Sequence, residues 1–190
     1  IYLIPAIVAG PQVIAVHAGN MNYLVYSFLQ AVQFVVGVYV LLSGVRLLLA
    51  EIVPAFRGIA MKIVPDAIPA LDCPVLFPYA PNAVIIGFIT TTIGSVLGMF
   101  ILPLFGLAII LPGMLTNFFA GGTAGIFGNA VGGRRGAIIG GIAHGFFITL
   151  LPALLLPLLG SFGFENVTFS DSDVISVGLV FGHILKFIFP

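Results

Sequence analysis

The 190-residue chain is 61% hydrophobic and 6% charged, with six cations balancing six carboxylates. An ordinary soluble domain is about a quarter charged, and one of this size leaves much of its surface in water, so the solvent here has to be lipid. Without runs of Lys or Arg, nucleic acid is excluded as a partner, because phosphate binding needs clustered cations. One cysteine, Cys73, excludes an internal disulfide framework.

The predicted class is an all-α polytopic membrane protein with broken spans. A spanning helix needs about 20 mostly apolar residues, and apolar stretches, uncharged except for Lys186, supply them at 1–16, 23–45, 83–102, 103–119, 136–160 and 174–189. The opening Ile1-Tyr2-Leu3-Ile4 reads as the inside of a span, which points to a piece from the C-terminal side of a longer protein. Prolines at 5, 11, 103, 112, 152 and 157 predict kinks or breaks.

Cations favour the cytoplasmic side. Arg46, Arg57 and Lys62 mark one cytoplasmic stretch and Arg134 with Arg135 a second, while Glu165, Asp171 and Asp173 place the loop 161–173 outside. Residues 46–64 are amphipathic: Leu48, Leu49, Ile52, Val53, Phe56, Ile59 and Ile63 share one arc, and Arg46, Glu51, Arg57 and Lys62 take the other. This segment is expected as a helix along the cytoplasmic interface. The alternative is a cytoplasmic extension of the preceding span.

The segment 65–82 contains five prolines and cannot be one continuous helix. Irregular backbone at membrane depth has to be buried in protein or line a cavity, so a re-entrant hairpin is expected. Asp72 lies within it. A carboxylate at mid-membrane costs about 2.5 to 3.5 kcal/mol on insertion scales and is normally paired, solvated or functional. Asp72 is therefore a candidate substrate contact; the plainer reading is a cap or a loop residue. Tyr79 and Asn82 are candidate hydrogen-bonding partners for a polyhydroxyl ligand, though a Tyr at an interface and an Asn capping a helix are ordinary placements.

Further on, Gly128, Gly132, Gly136 and Gly140 recur every four residues, which suits close helix packing in lipid. The run 120–129 also allows a second broken or hairpin element. No phosphate-cradling or metal-binding spacing occurs. His144 falls within a span, as a bundle-facing polar group or a substrate contact. No nucleophile–base motif points to catalysis, so no catalytic residue, metal ligand or cofactor is assigned.

The strings LLSGVRLLLAEIVPAFRGI, PALDCPVLFPYAPNAVIIGF and FGNAVGGRRGAIIGGIAHGFFITLLPALLLPLLG resemble the C-terminal half of the ascorbate-type membrane component, the IIC subunit, of the bacterial phosphotransferase system. The likeness runs over essentially the whole chain. It implies a multi-pass homodimer in the bacterial cytoplasmic (inner) membrane, with a scaffold domain and a mobile core that carries L-ascorbate inward in an elevator-like manner. A phosphorylated cytoplasmic IIB partner then phosphorylates the substrate, and the IIC subunit carries no phosphoryl group itself. In this division residues 1–45 are scaffold spans, 46–64 the connecting cytoplasmic-face helix, 65–173 the core with its hairpin at 65–82, and 174–190 the final span. By likeness Asp72, Cys73 and Pro74 are carried over as substrate contacts at a hairpin tip. An ion-coupled secondary transporter, or a IIC component for another sugar or polyol such as galactitol, is the competing expectation.

Overall fold

The computed structural model describes residues 3–63, 73–163 and 172–188. Five α-helices account for most of them: α1 (Leu3–Ala18), α2 (Tyr23–Ile63), α3 (Pro81–Ile101), α4 (Met114–Ser161) and α5 (Ser172–Ile188). The all-α polytopic class holds. Among the described residues three helical stretches are long and apolar enough to cross a membrane: α2, the 25 residues Pro81–Phe105 and α4. The chain divides into two compact units, Ile1–Val75 and Leu76–Pro190.

In the first unit α1 packs against α2. The break expected near Pro11 falls at Gly10, whose φ of 77° and ψ of 172° interrupt α1. A residue preceding proline is pushed out of the helical region, and glycine tolerates the positive φ. α2 is one helix of 41 residues, about 60 Å long and twice the hydrocarbon thickness. The amphipathic segment is continuous with the span before it. Nothing at 45–46 breaks a helix, and Pro54 is carried inside the helix. The unit ends with the short 3-10 turn Cys73–Val75, which contacts α2.

The second unit is a bundle held by small residues. α4 is merged across a break at Gly132 (φ −131°, ψ 16°) and Gly133 (φ 59°, ψ −151°), so it forms two arms, 114–131 and 134–161. The arms fold back on each other. A Cβ built on Gly128 would lie 2.8 Å from the carbonyl carbon of Gly136, and one on Gly140 would lie 3.6 Å from the Ala124 oxygen. The first arm runs antiparallel to α3, with Gly87 against Gly125, and the second runs parallel to it, with Gly98 against Thr149. Ala83, Gly87, Thr91, Gly94, Ser95 and Gly98 form the buried stripe of α3 at the three- and four-residue spacing that puts them on one face. Without a hydrophobic drive between helices in lipid, such close backbone approach supplies the packing.

Two expectations are corrected in this unit. The stretch 103–119 is not a span: Leu102–Phe105 is a 3-10 turn, 106–113 carries no helix, and α4 begins at Met114. Pro103 cannot continue the ladder of α3, and Gly106, at φ 74°, closes the turn in the left-handed region. The arm 114–131 takes the place of that span, and the glycine run 120–129 is helical throughout. Close packing is what those glycines do, with the turn a few residues further on. Pro152 and Pro157 also stay within helical backbone.

Across the bundle, buried hydroxyls tie helix to helix. Thr91 Oγ1 donates to the Gly141 carbonyl at 3.0 Å and Ser95 Oγ to the Gly145 carbonyl at 3.1 Å. α5 completes the unit through an apolar cluster of Leu151, Leu155, Leu158 and Ile175.

Candidate substrate cavity

The approach to α3 is irregular because Pro74, Pro78 and Pro81 remove backbone donors in quick succession. In the second unit this leaves a 3-10 turn, Phe77–Tyr79, after which Pro81 occupies the start of α3. Proline is at home there, since the first helical N–H groups have no partner within the helix. Phe77 anchors the turn: it is 5% exposed, packs edge-on to Phe118 at 5.5 Å and stacks on Phe119 at 6.1 Å. The buried ring holds the next residues at the end of the bundle where the two arms of α4 meet.

A cavity of about 750 Å³ opens at that end, lined by Tyr79, Ala80, Pro81, Asn82, Ala83, Ile85, Ile86, Asn129 and Arg134. Tyr79 and Asn82 come from the turn and the first residues of α3. Asn129 and Arg134 flank the Gly132–Gly133 break. Among the described residues the side chains of these four make no hydrogen bond or ion pair with the protein, and no carboxylate lines the cavity. A phenol, two carboxamides and a guanidinium on an apolar floor supply donors and acceptors for hydroxyl groups and a positive charge for an anion.

Tyr79 and Asn82, expected from the sequence as ligand partners, are thus brought together. Cys73 and Pro74 lie in the Cys73–Val75 turn of the first unit, where Pro74 is buried and Cys73 half-buried. Asp72 is outside the described residues. Asn129 and Arg134 were not among the expected contacts. Arg134 reads in the sequence as a topology marker and Asn129 as part of a glycine run, and neither signal places them beside Asn82. The Arg-Arg pair after Gly132-Gly133, a cationic hairpin tip, was the available clue.

The histidines lie elsewhere. His144, on the second arm, has a buried Nδ1 without a partner among the described residues, as does the Asn117 amide nitrogen. His17 lines a separate cavity of about 350 Å³ within the first unit, together with Tyr26, Ser27 and Gln30. The His183 Nδ1 is 2.7 Å from the Leu179 carbonyl of its own helix. Among the described residues no group of three or more His, Cys, Asp or Glu is placed to hold a metal.

The chain is 30% identical over 130 residues, 64% of its length, to a protein of Mycoplasma pneumoniae (strain ATCC 29342 / M129 / Subtype 1) named "Ascorbate-specific PTS system EIIC component". The match covers 19% of that relative, so the chain spans about a fifth of its length. Residues 1–173 match the family described as "PTS system sugar-specific permease component". With its apolar helices, its proline-broken entry to α3 and its glycine-packed hairpin, the chain belongs to the sugar-specific permease components of the phosphotransferase system.

Proposed function

We propose that the chain forms part of a permease that takes up a sugar acid, L-ascorbate, across the bacterial cytoplasmic membrane and presents it to a cytoplasmic IIB phosphoprotein for phosphorylation. The observation that carries this reading is the convergence of Tyr79, Asn82, Asn129 and Arg134 on one cavity. Hydroxyl-pairing groups with a single cation suit a polyhydroxylated monoanion better than a neutral hexitol. The family match supports sugar uptake by the phosphotransferase system, and the similarity to an ascorbate-specific relative favours a sugar acid as the substrate.

In this reading Arg134 and Arg135 place their end of the bundle on the cytoplasmic side. The core expected at 65–173 moves in an elevator-type cycle, and the spans expected within 1–45 belong to the scaffold of a homodimer. Asp72, which lies outside the described residues, is carried as a proposed substrate contact by likeness to the family.

The test is uptake of labelled L-ascorbate by cells carrying the full-length protein with Asp72→Asn or Asn82→Ala. Both variants should lose uptake while the purified dimer stays intact; normal uptake in D72N would remove Asp72 from the site. Proteoliposomes lacking the phosphotransfer partners should show no concentrative uptake. Accumulation that collapses with an ion gradient would replace this reading with an ion-coupled carrier.

A further inference from the structure

We infer that the Arg134 cavity is a product subsite, holding the phosphate dianion of the phosphorylated sugar acid before its release. The inference rests on the transport reading above and gives Arg134 a second role beyond meeting the free sugar acid. A sugar acid bears one delocalised negative charge, which engages only part of what a guanidinium offers. A phosphate monoester bears close to two charges on three strong acceptor oxygens, and guanidinium meets such a group in a bidentate fork.

The placement of Arg134 fits this task. It follows directly on Gly132-Gly133, and Gly133 adopts a backbone conformation open only to glycine. The second arm therefore starts at a sharp corner, with Arg134 in its first turn on the wall of the cavity. A cation at a helix N-terminus opposes the helix dipole, so the position gains nothing for the helix itself. Its neighbour Arg135 has the same charge and is also exposed, but does not line the cavity. Asn82, Tyr79 and Asn129, which also line the cavity, remain for the sugar hydroxyls. Tyr79 is 83% exposed, so the cavity is not closed over by its own lining, which suits a group that has to leave.

The experiment is calorimetric titration of the full-length protein in nanodiscs of neutral lipid, with L-ascorbate, an L-ascorbate monophosphate ester and inorganic phosphate as probes. Wild type should bind the ester at least tenfold more tightly than ascorbate. Arg134→Gln should bring the two within about twofold of each other, while Arg135→Gln keeps the preference. Arg134 is exposed, and a folded R134Q protein is verified by its gel-filtration profile and melting temperature. Arg134→Lys, with the charge but not the fork, should retain part of the preference. Equal affinities in wild type, or a preference that survives R134Q, would overturn the inference while leaving ascorbate binding and the transport reading in place. Failure of folded wild type to bind either compound would overturn both. If inorganic phosphate binds as tightly as the ester, or anionic phospholipid in the disc displaces it, the site recognises free phosphate or a headgroup and the product assignment falls.

Discussion

Gly87 of α3 and Gly125 of α4 face each other so closely that a Cβ built on Gly87 would lie 2.7 Å from the Gly125 Cα, and one built on Gly125 2.6 Å from the Gly87 Cα. Real side-chain carbons do not come that near to backbone, so a methyl at either position forces the helices apart. Gly87→Ala or Gly125→Ala should destabilise the bundle by about 1–3 kcal/mol, the usual cost of overpacking. The check is the melting temperature of the purified protein in detergent. Gly160→Ala, at a position with no atom within 4 Å of the added carbon, is the control and should melt like wild type or slightly higher.

Thr91 and Thr92 are adjacent and both buried, yet their hydroxyls go to different places. Thr91 donates across the bundle to Gly141, whereas Thr92 donates at 2.8 Å to Phe88 within its own helix. Thr91→Val should cost about 1 kcal/mol and Thr92→Val less. Both carbonyls lie inside regular helix, so what separates the variants is that only the Thr91 hydroxyl joins two helices. Equal melting temperatures for the two variants would show that the inter-helical bond contributes nothing.

The corner between the arms of α4 separates its two glycines in a similar way. Gly133, at φ 59° and ψ −151°, occupies a region essentially closed to other residues, while Gly132, at φ −131° and ψ 16°, lies at negative φ. Gly133→Ala should cost about 1–3 kcal/mol and displace Arg134 and Asn129 from the cavity. Uptake of ascorbate should fall at least severalfold. Gly132→Ala should be the milder of the two in both measurements.

Phe77 acts on the cavity without lining it. Phe77→Ala removes its contacts with Phe118 and Phe119, at about 3–5 kcal/mol for a buried aromatic ring. The released turn should raise the KM for uptake as Tyr79 and Asn82 lose their fixed position. Phe77→Leu, which keeps most of the volume, should recover much of the stability; a KM that also returned fully to the wild-type value would mean that filling the space is enough and the ring geometry is not.

Much of this was written in local composition. Scarce charge specified lipid as the solvent, and Pro74, Pro78 and Pro81 specified irregular backbone ahead of α3, because a missing N–H and a fixed φ act within a residue or two. Gly10 beside Pro11 broke α1 for the same local reason. The span expected at 103–119 went wrong because an apolar run has no periodicity that tells helix from loop, and Pro103 and Gly106 ended α3 early. The amphipathic arc at 46–64 was real as a pattern, but a pattern does not mark where one helix stops and another starts.

Sequence by itself determined that this is a membrane protein and that the backbone breaks beside Pro11 and ahead of α3, since each follows from transfer energies and backbone chemistry acting locally, and it named Tyr79 and Asn82 as candidate ligand partners. Only the tertiary structure decided that Asn129 and Arg134 join them. Those residues lie far along the chain and reach the cavity because glycines at 87, 121, 125, 128 and 136 let three helices approach backbone to backbone. The corner at Gly132–Gly133 then turns the second arm so that its first residue faces the start of α3.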